Sequence, residues 1–312
     1  IFLDCIPSTF LAASESSVLS ILPAHRLLLA GKGYEAARLS ILGIFLGLIT
    51  IMLLSPLFFI VAKIIYPIIK DYIAYLLILA AFIIILKSNK KFMSFTLFSL
   101  AGILGIITLT MPSLKQPLLP LLSGLFGIPT LVMSIKNKTI IPKQSTHYSL
   151  LKKKETVKAI SSSLLAALLT GFLPGISSSE SAILATSFFK KIKTRTYLLL
   201  LGAVNAMVLI LSFIALLSIE KTRSGSVAAI QTIVNPLTTS HLLIFLAAIL
   251  TSLFPTMFLT LYIAKHFSSV IERINYKMLS LSIILLVVLL TITISGYLGF
   301  LVLLVSSSLG IL

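Results

Sequence analysis

The sequence has no tryptophan, one cysteine and only 8 acidic residues among 312. The single cysteine, Cys5, excludes an internal disulfide and a cysteine-based metal cluster. His147, His241 and His266 stand isolated, so no metal-ligand spacing appears. Neither a Walker sequence nor a nucleophile–base arrangement is present, which argues against an enzyme and against ATP-driven transport by this chain alone. No loop is long enough to hold a soluble domain. With tryptophan missing, any aromatic belt at a membrane interface rests on 9 tyrosines.

What the chain has in abundance is hydrocarbon. It is 58% hydrophobic and 11% charged, with a mean hydropathy of +1.14. Apolar stretches of about 18 residues or more recur, without the alternation of barrel strands, so the expected fold is an all-α polytopic membrane protein. The expected spans are Ile1–Leu22, Leu39–Ala62 bent near Pro56, Tyr72–Leu86, Phe92–Met111, Pro117–Ile135, Tyr197–Ile219 and His241–Ala264. Two further apolar stretches, Leu279–Ser295 and Leu298–Leu312, flank Gly296 and Gly299. That gives about eight to nine transmembrane helices. The net charge of +17 sits in short loops between spans, which points to membrane topology rather than nucleic acid. Residue 1 is Ile rather than Met, so the start of the gene product is expected upstream.

One stretch breaks the pattern. Residues 157–189 hold two apolar arms, Val157–Leu173 and Ala182–Phe189, around Gly171, Pro174, Gly175 and the run Ser177-Ser178-Ser179-Glu180-Ser181. Pro174 lacks a backbone donor and Gly175 frees the chain to reverse, so a re-entrant hairpin of two half-length helices is expected. Backbone broken at membrane depth survives only in a protein interior or a wet cavity, and in transporters it builds substrate sites.

Charge sets the topology. If 157–189 leaves and re-enters one side, the loops 24–38, 87–91, 136–158, 190–195 and 265–277 share that side and carry 20 of the 25 Lys and Arg. A single crossing there would reduce the split to 15 against 10. The basic loops are therefore expected to be cytoplasmic. A short internal echo pairs Leu19-Ser-Ile and its following connection with Leu217-Ser-Ile and its own, on opposite sides, as inverted-topology repeats require. The expected units are a first repeat, 1–156, incomplete at its N-terminus, and a second, 157–312, that begins with the hairpin.

Candidate site residues follow. Glu180 lies ten residues before Lys190, about 15 Å along a helix and so near the midplane of a core about 30 Å thick. With Ser177, Ser178, Ser179 and the free amides of a helix start, it suits a carboxylate or phosphate. The competing reading is a capping box, Ser177-x-x-Glu180, in which the glutamate only closes its own helix. Asp4 and Glu15 are the other acids in apolar surroundings and, with Glu180, are candidates to couple Na+ or H+; Asp4 reads near the external interface. Asn205 sits mid-span, where a helix–helix hydrogen bond is the alternative to ligand contact. His25-Arg26 reads as an anion ligand or a cytoplasmic anchor. No cofactor is called for.

Three stretches resemble the large membrane subunit of tripartite tricarboxylate transporters, in the archaeal-type branch of the TctA-like family. They are Phe2-Leu-Asp-Cys-Ile-Pro-Ser; Leu19-Ser-Ile-Leu-Pro-Ala-His-Arg followed by Leu-Leu-Leu-Ala-Gly-Lys-Gly-Tyr-Glu-Ala; and Gly171-Phe-Leu-Pro-Gly-Ile-Ser-Ser-Ser with Leu200-Leu-Gly-Ala-Val-Asn. The resemblance implies an integral membrane permease with inverted repeats, each holding a Pro-Gly re-entrant segment, and ion-driven uptake of carboxylates. In bacterial members it implies a small membrane subunit and an extracytoplasmic binding protein as partners. The first Pro-Gly segment is absent here, and position 24 is Ala where Gly is expected. The expected function is secondary transport of a small organic anion across the bilayer by alternating access, with homo-oligomerisation left open. The Pro-Gly-Ile-Ser segment is also similar to that of polyprenyl-phosphate transporters, so a carrier for a lipid-linked phosphate is the alternative.

Overall fold

A computed structural model describes residues 1–10, 18–88, 90–136, 141–172, 177–187, 192–220, 222, 224–234, 236–273 and 275–311. The described residues are mostly helical, with no strand among them. The helices are Cys5–Phe10 (α1), Val18–Leu29 (α2), Gly33–Ile69 (α3), Ile73–Lys87 (α4), Lys91–Thr110 (α5), Leu118–Leu122 (α6), Ile128–Lys136 (α7), Lys153–Phe172 (α8), Ser178–Ser187 (α9), Thr194–Ile219 (α10), Gly225–Ile233 (α11), Thr239–Val270 (α12) and Tyr276–Ile311 (α13). Six stretches among the described residues are long and apolar enough to cross a membrane: Gly33–Ile64, Lys91–Thr110, Leu118–Lys136, Thr194–Ile219, Thr239–Arg273 and Lys277–Ile311.

The count differs from eight to nine for identifiable reasons. Helix α4 has 15 residues, short of a span. Leu279–Ser295 and Leu298–Leu312 belong to one element, α13, broken at Gly296 (φ 69°, ψ −166°). Its first part, 276–295, is about 30 Å long, one bilayer core. Of Ile1–Leu22 the described residues form α1 and the start of α2, and 11–17 lie outside the described residues. A Cβ on Gly33 would lie 2.7 Å from Leu28 Cδ1 and 2.9 Å from Phe10 Cε1, so Phe10 and Leu28 touch the same glycine. A straight helix from 10 to 28 would hold them about 27 Å apart. Helices α1 and α2 lie side by side instead.

Helix α10 is the centre. Of its apolar window 83% is buried, against 6% for α5, whose side chains face outward. Its main partner is α3. Gly43 and Gly47 of α3 pack on the backbone of Leu199 and Ala203, and Gly202 packs on the backbone of Ser40. This small-xxx-small spacing lets two helices touch main chain to main chain, which lipid-solvated helices need because the hydrophobic effect does not drive them together. Helix α3 also runs unbroken through Pro56. The proline cannot donate to Met52 O, and Ser55 Oγ donates to that carbonyl instead, at 2.8 Å.

The basic loops converge. Arg195 pairs with Glu35 and donates to Ser149 O. Lys193 Nζ lies 3.2 Å from Glu155 Oε1, and Gln144 N donates to Glu272 Oε1 at 2.6 Å. Loops 24–38, 136–158, 190–195 and 265–277 thus share one end of the bundle, the grouping that charge favoured. A chain swapped after 189 could not make these contacts. The 220–240 connection follows the far end of the continuous helix α10. The stretches offered as an internal echo fold differently: α2 continues past Ile21 to Leu29, whereas α10 ends at Ile219 on a left-handed Glu220.

A second packed group joins α13 to α5, α6 and α7. Ser306 Oγ donates to Pro120 O at 3.1 Å and Ser295 Oγ to Gln116 O at 3.2 Å. A π-helical turn, Ser123–Gly127, precedes Pro129. Proline leaves Leu125 O without its usual helical donor, and Gly310 lets α13 approach that carbonyl closely.

Candidate functional site

Asp4 and Asn205, singled out on separate grounds, line one cleft. Its walls are Ile1, Asp4, Cys5, Ser8 and Thr9 from the N-terminal end, Ala24 of α2, Ser40 and Ile44 of α3, and Leu198, Leu201, Gly202 and Asn205 of α10. The cavity holds about 50 Å³. Its polar lining is a carboxylate, a carboxamide and three hydroxyls, a set of hard oxygen donors without a basic side chain. The glycines at the α3–α10 crossing set its shape: with Gly202 flush on Ser40, Asn205 one turn on comes close to α1.

The depth of the cleft follows from α10. Leu198 is one turn from Arg195 at the basic end, and Asn205 is about 15 Å along the helix, near midplane. Asp4 shares this cleft with Ala24 and Leu198 as well as with Asn205, and is itself exposed.

The broken segment sits beside this cleft rather than in its lining. Helix α9 packs back on α8, with Thr170 Oγ1 donating to Ser181 Oγ at 2.7 Å. Ala159 and Ala166 of α8 and Ala182 and Ala185 of α9 form one buried cluster with Leu199–Leu201 and Val204 of α10. Leu201 belongs both to that cluster and to the cleft wall. A Cβ on Gly171 would meet Leu211 at 3.4 Å, so Gly171 lies about 9 Å further along α10 than Asn205. Glu155 and Lys193, on either side of the 157–189 stretch, lie 3.2 Å apart.

Both hydrogen bonds of the capping box are present. Ser177 N donates to Glu180 Oε2 at 2.7 Å, and Glu180 N donates to Ser177 Oγ at 3.3 Å. Ser178 is half-buried at the first position of α9. Ser179 Oγ is buried without a hydrogen bond among the described residues. Pro174, Gly175 and Glu15 lie outside the described residues. Arg26 is exposed, as an anchor would be, and burial pushes His25 below the usual imidazole pKa. No group of three or more His, Cys, Asp or Glu that could hold a metal occurs among the described residues.

Sequence reasoning missed Glu35, Gln144 and Arg195, which read as ordinary loop residues. The available signal was their company: each stands in a basic loop that charge had placed on one side.

The structure defines a multi-pass helical membrane protein with a polar cleft beside the α8–α9 pair. The chain belongs to the tripartite tricarboxylate transporter TctA family, whose description matches residues 1–312. A relative in Methanocaldococcus jannaschii, the uncharacterized protein MJ1079, is 30% identical over 292 residues, covering 91% of this chain and 72% of the relative. No solved structure matches. The protein is therefore a transporter component and not an enzyme. Its family works with small membrane and binding-protein partners.

Proposed function

We propose that this chain is the permease of a secondary transporter for a small organic anion, a di- or tricarboxylate, coupled to a Na+ or H+ gradient and working by alternating access. The observation that carries the reading is the cleft in which Asp4, Ser8, Thr9, Ser40 and Asn205 meet. Asp4 is itself exposed where it joins the cleft wall, and a carboxylate with oxygen donors around it suits a cation or a proton. A cavity of about 50 Å³ takes an ion with a little water and is too small for a tricarboxylate. Asp4 and Asn205 therefore serve the coupling ion, with Glu15 the second acid available to it.

The anion belongs at the α8–α9 tip, with Gly171, Pro174, Gly175, Ser177, Ser178 and Ser179 around the amides that open α9. Glu180 holds that helix start through Ser177 N and is not itself a substrate ligand. The hairpin re-enters the face it left, the basic face is cytoplasmic, and the two membrane repeats divide near residue 156. The lipid-phosphate alternative gains no support from the family or the fold.

The test is thermal unfolding of the purified full-length protein with di- and tricarboxylates, with and without Na+ and across pH. A ligand that binds only the folded state adds about 2.7 kcal/mol at a hundredfold excess over Kd. Stabilisation by a carboxylate that requires Na+ or a proton, and loses that requirement in Asp4→Asn and Asn205→Ala, is the expected result. An unchanged cation requirement in both variants overturns the assignment of the cleft. Silence toward every carboxylate overturns the substrate class.

A further inference from the structure

Residues 141–152 form neither helix nor strand, yet they are tied down along their length. The carboxamide of Gln144, only 9% exposed, sits in the α2–α3 turn. Its Oε1 accepts from Gly33 N at 2.8 Å, and its Nε2 donates to Leu28 O at 3.1 Å and to Pro142 O at 2.6 Å. One side chain thus satisfies the first amide of α3, which a helix start otherwise leaves open, and adds a second donor to Leu28 O, which also accepts from Gly31 N at 3.0 Å. Ser145 N donates to Gly31 O at 2.7 Å, at a glycine with φ 72° whose Cβ would lie 2.8 Å from Lys143 O. Further along, Arg38 stacks 3.3 Å from the Tyr148 ring centre, and Arg195 holds Ser149 O.

Both ends of this segment pack half-buried against the bundle. Ile141 packs on the main core, and Leu151 packs on the cluster of Ala24, Ala36, Leu39 and Leu198. Ala24 and Leu198 are cleft-lining residues, so Leu151 backs the cleft wall at the basic end. Gly43, Gly47 and Gly202 bring α3 and α10 to backbone contact. Gln144 fastens the opposite wall, α1–α2, through Leu28.

We propose that residues 141–152 are a strap that locks α1–α2 onto α3–α10 and closes the cleft toward the basic-loop face, so that release of Gln144 and Leu151 opens the cleft to that side. The segment works as a gate and takes no part in ligand binding. Its functional consequence rests on the cleft being the transport path, but its mechanical action does not.

Cys5, the only cysteine, is buried in the cleft wall and reports on opening. The full-length protein in sealed vesicles is labelled with a membrane-impermeant maleimide applied to the basic-loop side. Gln144→Ala and Leu151→Ala are each expected to speed Cys5 labelling from that side by about tenfold, the size of a local opening made about 1.4 kcal/mol easier. Gly124→Ala, which disturbs the distant α6–α13 contact, is expected to leave the rate unchanged. Should Gln144→Ala not reach the membrane, Leu151→Ala decides alone. Unchanged labelling in the strap variants overturns the proposal, as does equal acceleration by Gly124→Ala, which would mean general loosening. Because no substrate or cation is added, a failure here is separate from a failure of the transport assignment.

Discussion

Glu35 and Arg195 pair across the α3–α10 crossing, with the Glu35 side chain 6% exposed and that of Arg195 30% exposed. The asymmetry predicts unequal damage. Arg195→Ala leaves a buried carboxylate alone and frees Ser149 O, and is expected to cost about 2–3 kcal/mol, below the figure for a wholly buried pair because Arg195 reaches solvent. Glu35→Gln leaves Arg195 its carbonyl partner and water, and is expected to cost about 1 kcal/mol. Thermal unfolding of the two variants checks the order; equal losses would show that the pair is solvated.

Glycine position, not glycine content, sets the bundle. Gly47→Ala places a Cβ 2.7 Å from Ala203 Cα, so the helices must separate, and about 1–3 kcal/mol of destabilisation is expected. Gly105→Ala on α5 meets nothing within 4 Å and removes the entropy cost of a helical glycine, a gain of about 0.5–1 kcal/mol. Unfolding midpoints moving in opposite directions would bear this out.

The capping box separates two roles for Glu180. Glutamine caps as well as glutamate does, so Glu180→Gln is expected to keep both stability and carboxylate response, while Glu180→Ala loses about 1 kcal/mol through the cap. Loss of the carboxylate response in Glu180→Gln, at unchanged stability, would make its charge part of the site.

Burial lowers the pKa of His25 at the basic end. The unfolded chain then binds a proton more readily than the folded one below the ordinary imidazole value of about 6.5. Stability is expected to fall as pH drops from about 6.5 toward the folded-state pKa, and to level off below it. A pH series of unfolding midpoints for the native protein and His25→Asn checks this; the variant should lose that part of the slope.

Much of the architecture was legible because it rests on local quantities. Hydrocarbon content marked the helices, and lysine and arginine positions grouped the loops that Arg195, Lys193 and Gln144 hold together. Ser177-x-x-Glu180 announced a cap that the structure contains. The pairing of Asp4 with Asn205 was only half legible. Each residue drew notice as polarity in an apolar run, but nothing local placed the two in one cleft.

The sequence by itself determined that this chain enters a bilayer, which loops share a side, and where helices break, because hydration cost, charge and backbone chemistry act on each segment alone. Only the tertiary structure decided which polar groups meet. Lipid-soluble helices gain no hydrophobic energy by choosing one partner over another, so the choice falls to close packing at Gly43, Gly47 and Gly202 and to bonds such as those of Gln144. Those contacts join residues more than a hundred positions apart, and no local pattern encodes them.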